Sequence, residues 1–239
     1  MMRMVGPALR AGLDPYWANV VLLLQDGSMV DASDAQTEVT VVGTSTARPV
    51  GSTAQLDGSL TTVKIRNANV QAPALACNIP ALGAQDWTFE VYAYLTGPYF
   101  ALWTDAKDTS LGTPYGGLSV TISQSGSPIV DTMVNRNSSS PALTNTAALG
   151  TFPFGGYFCV ERKGRYVYTS FNGTIRSTAD LGSASVSLAS PERTPRIGDW
   201  QSDAGSGWEL YVGRLRWTLG VARYNGADFT PPTGLLPVG

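Results

Sequence analysis

The sequence predicts an all-β chain, a single jelly-roll sandwich of two antiparallel sheets with short N- and C-terminal arms. Three observations carry that expectation. Turn formers punctuate the whole length, with 26 glycines and 15 prolines among 239 residues. Between them stand short runs that alternate apolar and polar residues with period two, as strands with one buried face do. No segment of ten or more residues shows a sustained helical stripe capped at both ends. Many short strands at roughly regular spacing indicate a sandwich or jelly roll.

The elements follow in order. Residues 1–13 are an expected N-terminal arm. Its Met1, Met2, Met4, Val5, Leu9 and Leu13 are apolar but have no place in the alternation of the first strand. Residues 14–230 make the sandwich. Pro73 to Cys77 is the best helical candidate, a turn or two. Trp87 to Leu95 is the clearest strand: Trp87, Phe89, Val91, Ala93 and Leu95 share one face, and Thr88, Glu90, Tyr92 and Tyr94 point outward on the other. Leu118, Val120 and Ile122 repeat the pattern and end at Ser125-Gly126-Ser127. Asn135 to Thr146 reads as loop. A meander follows: strand Tyr157 to Val160, a tight connection with Lys163-Gly164, strand Arg165 to Phe171, then Asn172-Gly173. Asn-Gly suits a type I′ turn, whose two central residues need positive φ. Thr174 to Ser177 starts the next strand. Near the end, Tyr211, Leu215, Trp217, Leu219 and Val221 are assigned to one face and Arg214, Arg216 and Thr218 to the other. Phe89 and Trp217 are expected between the sheets. Residues 231–239 form the C-terminal arm after Pro231-Pro232, since proline cannot join a central strand. Exposed apolar arms are costly on a monomer, so both are expected to lie against another protein. The alternative is that they fold back over their own sandwich.

Composition removes much familiar chemistry. Only 14% of residues are charged, against about 25% in an average domain, and the net charge is −2 with acids and bases interspersed. A broad basic surface for nucleic acid is not encoded. Histidine is absent, which excludes Ser-His-Asp and Cys-His catalysis, His-ligated zinc and an imidazole switch. Cys77 and Cys159 are too far apart for a CxxC site. Their apolar neighbours suggest buried free thiols, with a disulfide as the alternative. The N-terminal residues lack the apolar core of a signal peptide, and Val20 to Leu24 is far short of a membrane span. A soluble protein made in the cytoplasm is expected.

Several stretches carry a family likeness. Asp14 to Ser28 (DPYWANVVLLLQDGS) leads through an apolar run into an Asp-Gly turn, with an Asp-Ser pair within Asp31 to Ser33. Ala54 to Leu60 reads AQLDGSL, Trp87 to Leu95 reads WTFEVYAYL, and RYVYTSFNGT makes a strand–Asn-Gly–strand hairpin. Pro195-Arg196-Ile197-Gly198 and ELYVGRLRWTLGVARYNGADFTPPTGLLP close the chain. In this order and spacing, over about residues 14–236, the chain resembles the concanavalin A-like lectin/glucanase superfamily in its laminin G-like form, of the kind found in tailed-bacteriophage virion proteins. The resemblance implies two packed antiparallel sheets. It implies no activity, because this fold hosts lectins, hydrolases and structural modules.

Glycan hydrolases of that superfamily carry paired carboxylates on one strand, an acid and a nucleophile about 5–5.5 Å apart. None of the five glutamates, Glu38, Glu90, Glu161, Glu192 and Glu209, has an acid two positions away. Glu90 lies in the right kind of strand, but its same-face neighbours are Thr88 and Tyr92, so it reads as an outward polar residue. The resemblance also suggests calcium, for which Asp26, Asp31 and Asp34 are weak candidates, with Asp105 and Asp108, or Asp199 and Asp203, in other loops. Ordinary turn hydrogen bonding explains the same residues. Carbohydrate binding needs aromatic faces beside polar groups. Trp103 with Asp105, and Trp200 with Asp199, are the best local combinations, and Tyr92, Tyr94, Tyr166 and Tyr168 offer a stripe across one sheet. Core packing or a protein interface explains the same rings. The basic hairpin with Arg162, Lys163, Arg165 and Arg176 reads as a solvated face or a contact with an acidic neighbour.

The expectation is a non-enzymatic virion structural protein of a tailed bacteriophage, a head decoration protein or a component of tail, baseplate or fibre. It would use the laminin G-like jelly roll to assemble with other virion proteins and with copies of itself as a homo-oligomer. The alternative is a carbohydrate-binding module that recognises a host surface glycan. No cofactor, nucleic acid or membrane partner is expected.

Overall fold

A computed structural model describes residues 13–25, 28–42, 52–56, 60–66, 74–97, 100–104, 117–123, 127–135, 142–182, 195–198 and 209–238. After a single 3₁₀ turn at Trp17–Asn19, the regular elements among the described residues are all strands. In chain order these are β1 (Val20–Gln25), β2 (Val39–Val42), β3 (Ser52–Leu56), β4 (Leu60–Arg66), β5 (Ala74–Cys77), β6 (Trp87–Leu95), β7 (Phe100–Thr104) and β8 (Gly117–Ser123). There follow β9 (Ile129–Asn135), β10 (Ala142–Asn145), β11 (Phe154–Lys163), β12 (Tyr166–Phe171), β13 (Thr174–Asp180), β14 (Arg196–Ile197) and β15 (Glu209–Leu219).

These strands form two antiparallel sheets. The larger runs β13-β12-β11-β6-β15-β4-β3, with β1 also paired to β15; the smaller runs β10-β9-β8-β7-β14-β5-β2. The Asn172-Gly173 turn has positive φ at both residues, as its sequence demands. One core joins the two sheets. Trp87, Phe89, Val91, Ala93 and Leu95 of β6 point into it, as do Leu118, Val120 and Ile122 of β8 and Leu215, Trp217 and Leu219 of β15. At its centre the Trp217 ring lies 5.0 Å from Phe89 of its own sheet and 5.0 Å from Trp103 of the other. The Thr169 hydroxyl donates to Thr132 Oγ1 across the layers at 2.9 Å.

Four expectations are corrected. The helical turn expected from Pro73 to Cys77 is not found over Ala74–Cys77, an extended strand between β14 and β2 too short for its pattern to show the period; Pro73 lies outside the described residues. Asn135 to Thr146 is not all loop, because Ala142–Asn145 pairs with β9. Tyr211 does not share a face with Trp217. A bulge between Val212 and Arg214 inserts Gly213 and reverses the parity of β15. Leu210 and Val212 therefore face the core, and Tyr211 turns outward beside Tyr94, with ring centroids 6.0 Å apart.

The fourth correction concerns the C-terminal arm. The chain turns at Gly220 (φ +77°) and returns across the outward face of the larger sheet. Phe229 N donates to Gly173 O at 2.8 Å in the β12–β13 turn. Gly234 O accepts from Arg214 of β15, and Leu236 N donates to Gln25 Oε1 of β1 at 2.9 Å. Leu236 is buried against Val20 and Leu23, and Asp14 N donates to Val238 O at 3.3 Å. This segment thus covers its own domain, leaving Leu235 and Val238 exposed. Residues 1–12 of the N-terminal arm lie outside the described residues.

Candidate functional site

The densest chemistry sits on the outward face of the larger sheet, under residues 220–229. Glu90 does not point into solvent as expected; it is fully buried. Arg216 Nε donates to its Oε2 at 2.8 Å, and the hydroxyls of Tyr157 and Tyr224 both donate to Oε1. Asp14, just before β1, accepts from Arg216 at 2.9 Å, from two nitrogens of Arg223 at 2.9 and 2.6 Å, and from Tyr16 N at 2.9 Å. Glu161 accepts from Tyr224 N at 2.8 Å, Gly226 N at 2.7 Å and Thr88 Oγ1 at 3.2 Å. Chain start, central strand and C-terminal segment are thereby tied into one polar cluster.

Its electrostatics follow from burial and pairing. Burial works against ionising Asp14, but the hydrogen bonds from Arg223 and Tyr16 and the charges of Arg223 and Arg216 outweigh it and hold the carboxyl low. Burial pushes the Glu161 carboxyl up despite its three donors. Burial, then the Glu90 charge, raises the Tyr157 and Tyr224 phenols, so both remain hydrogen-bond donors.

Reading along single strands missed one feature here. Cys159 pairs with Glu90 and Thr88 with Glu161 across β6 and β11, so the two carboxylates lie diagonally on one face. Both are saturated with donors and covered, so no substrate oxygen has access to either. The pair holds the fold together.

The remaining sequence-predicted residues separate. Trp103 belongs to the core, fully buried with its ring 5.8 Å from Phe89 and 5.0 Å from Trp217. A ring without an exposed face cannot stack on a sugar, so this candidate is withdrawn. Asp31 is also buried. Its carboxylate accepts from Leu23 N at 2.7 Å, Ser33 N at 2.9 Å, Ser33 Oγ at 2.7 Å and Thr37 N at 2.7 Å. Those four bonds organise the loop after β1, the turn chemistry that competed with calcium. Asp34 accepts from Trp17 Nε1 at 2.7 Å. Among the described residues no group of three or more His, Cys, Asp or Glu side chains comes together to hold a metal. Asp26, Asp105, Asp108, Asp199, Trp200 and Asp203 lie outside the described residues. Of the basic hairpin, Arg162 is buried and donates to Gly83 O and Gly164 O, and Arg165 pairs with Asp180 on the surface. Cys77 and Cys159 are free, buried thiols.

The tyrosine stripe divides. Tyr168 lies under Gly226 at the covered end of the sheet, beside Tyr166. Tyr92 and Tyr94 lie towards the opposite end, where Arg214 stands over Tyr92 at 5.3 Å. There Gly155 of β11 pairs with Tyr94, which pairs with Tyr211, which pairs with Lys64 of β4. A Cβ on Gly155 would stand 2.9 Å from Tyr94 Cδ2, so the missing side chain leaves room for the ring against the backbone. The Tyr211 hydroxyl donates to Glu209, whose own N–H donates to Thr96 Oγ1 at 2.7 Å.

No protein-family model and no curated protein matches the chain. Solved structures do. The binding domain of botulinum neurotoxin DC in complex with rat synaptotagmin II matches 90% of this chain, with a TM-score of 0.64 and 11% identity, over 49% of that chain. A structure of botulinum neurotoxin type C, whose cell entry depends on interaction with two ganglioside molecules, gives the same coverage, identity and TM-score. The binding domain of Paraclostridial Mosquitocidal Protein 1 matches 90% of this chain and 50% of its own, with a TM-score of 0.61 and 11% identity. The likeness is one of fold. This chain spans about half the length of those structures. The bacteriophage and concanavalin A-like resemblance rests on the sequence motifs.

Proposed function

We propose that this chain is a non-catalytic carbohydrate-binding module built on a single jelly roll of two packed sheets. The observation that carries the reading is the fold match over 90% of the chain to toxin structures, among them a botulinum neurotoxin type C structure in which cell entry depends on two ganglioside molecules. The buried cluster supports the non-catalytic part, because Glu90 and Glu161, the pair best placed for acid–base work, are bonded to tyrosines, arginine and backbone amides. The test incubates the intact chain with an array of neutral and sialylated oligosaccharides and bacterial surface polysaccharides. Saturable binding to at least one supports the proposal; no binding across the array overturns it. Release of reducing ends from any of them would overturn the non-catalytic part.

A second reading concerns where the module works. The opening and closing sequence signatures favour the virion of a tailed bacteriophage, with the chain made in the host cytoplasm and assembled with other virion proteins and copies of itself. Surface glycan recognition and virion assembly are compatible roles for one module. Antibody labelling of intact phage particles at a fixed position supports this placement, and unlabelled particles overturn it. Light scattering on the purified chain tests self-association.

A further inference from the structure

We propose that the open end of the β11–β12 hairpin is a ledge for a carboxylate-bearing sugar of a glycan, with the Tyr166 ring as its apolar surface and the Lys163 ammonium as its anchor. The proposal rests on the reading of the chain as a carbohydrate-binding module and locates its site. A pyranose presents an apolar C–H face rimmed by hydroxyls, so its recognition needs aromatic surface with hydrogen-bonding groups at the edge. An acidic sugar needs in addition a cation that no protein carboxylate already neutralises.

Strand pairing decides which side chains meet. Val167 and Phe171 of β12 face the core, and Thr169 reaches the other sheet. Period two therefore turns Tyr166 and Tyr168 to the outward face. Two cross-strand rows result: Lys163, Tyr166 and Asp180 in the first, and Glu161, Tyr168 and Thr178 in the second. The covering segment reaches the second row. Gly226 N donates to Glu161 at 2.7 Å, and a Cβ on Gly226 would stand 2.6 Å from Tyr168 Cε2 and Cζ. The Asn225-Gly226 turn is thus a wall against the Tyr168 ring. Beyond it Tyr166 stays 39% exposed, the one exposed aromatic side chain among the described residues. Lys163, Arg165, Thr178 and Asn225 are exposed around it.

The cations of the ledge differ in how they are matched. The Arg165 guanidinium lies 5.4 Å from the Tyr166 centroid and donates through two nitrogens to Asp180, the Nε bond measuring 2.8 Å. Its charge is neutralised locally, and it holds the Tyr166 ring in place. Tyr168, 6.3 Å from Tyr166 at an interplanar angle of 51°, supports that ring from the side of the wall. Lys163 has no such carboxylate. Among the described residues its ammonium donates to the Asn225 carbonyl oxygen, at 3.1 Å. An ammonium carries three donors, so two remain for an anionic oxygen beside the exposed ring. The Thr178 hydroxyl and the Asn225 side-chain amide supply neutral groups for sugar hydroxyls along the rim.

The test titrates the tightest-binding acidic array oligosaccharide into the full chain by calorimetry, beside the same oligosaccharide with its carboxyl reduced to the alcohol. The acidic form should bind at least about fivefold more tightly, as expected of a charge-assisted contact. Lys163→Gln should raise Kd for the acidic form at least about fivefold and abolish the preference for it. Tyr166→Ala should raise Kd for both forms at least about fivefold, whereas Tyr166→Phe, which keeps the ring, should change neither more than about threefold. Melting curves establish that each variant is folded; if Tyr166→Ala is not, Lys163→Gln and the carboxyl-reduced oligosaccharide decide. A smaller effect in either folded variant, equal binding of the reduced form, or binding of neutral glycans alone overturns the ledge and leaves the module reading standing. If the wild type binds no array oligosaccharide, both fail.

Discussion

Replacing Arg216 with methionine should expose how much of the fold hangs on the buried ionic cluster. The guanidinium donates to Glu90 at 2.8 Å and to Asp14 at 2.9 Å, and all three side chains are buried. Methionine fills much of the stem volume and supplies no charge. Asp14 keeps both nitrogens of Arg223, whereas Glu90 keeps only its two tyrosine hydroxyls and an Arg223 nitrogen at 3.6 Å. Removing one partner of a buried pair strands the other and costs about 3–5 kcal/mol. For a domain of this size that is a fall of roughly 6–20 °C in Tm. Scanning calorimetry of wild type and Arg216→Met at neutral pH measures it. The double variant Arg216→Met, Glu90→Leu should recover a large part of the loss, because the stranded charge is gone. A single variant within about 2 °C of wild type would refute the reasoning, as would a double variant less stable than the single one.

Trp217→Ala should cost about 3–5 kcal/mol in a denaturant titration, since its ring contacts Trp87, Phe89 and Trp103 in the core. The acid limb of stability should depend on Asp14. Its carboxyl is held below the ordinary 3.8, so its contribution is complete above that value and is lost as pH falls through the lower folded one. Glu161 has the opposite sign, because its raised carboxyl makes ionisation costly to the fold and protonation relieves that cost. Asp14→Asn should therefore flatten the fall in Tm between about pH 5 and about pH 2.5. Burial pushes the Cys77 thiol up to about 12, and Cys159 also well above its ordinary value. Both should resist iodoacetamide in the native protein and react on unfolding, as followed by mass spectrometry.

Where one strand carried its own information, the sequence was readable. Trp87–Leu95 alternates without a break, and its five inward residues are the ones the core buries. Asn172-Gly173 specified its turn through the backbone freedom it alone supplied. Legibility failed where the outcome depended on a neighbour. Gly213 reversed the parity of β15 because a bulge is defined against the partner strand, so Tyr211 was put on the wrong face. Trp103 suggested a sugar platform because Thr-Asp follows it, yet its short strand lies opposite Trp217. Glu90 read as a solvated residue because nothing near it in sequence foretold a cover arriving from Tyr224, 134 positions away. Of the outward row at the far end of the larger sheet, only Tyr94 was visible in the alternation of its own strand. Gly155 and Tyr211 join Tyr94 only through cross-strand pairing.

The pairing of β6 with β15 also constrains how the protein can be made. The central strand β6 of the larger sheet is flanked by β11 and by β15, the last of the described strands. During synthesis the apolar face of Trp87–Leu95 emerges long before Glu209–Leu219 can flank it. At about 5–20 residues per second the wait is roughly 6 to 23 seconds. Through that interval a strand with two large aromatic side chains, Trp87 and Phe89, has an unpaired edge. Nascent chains crowded on one message could pair with each other there. A ribosome stall before Glu209 should therefore increase aggregation, and chaperones that bind extended apolar segments should find their target in Trp87–Leu95.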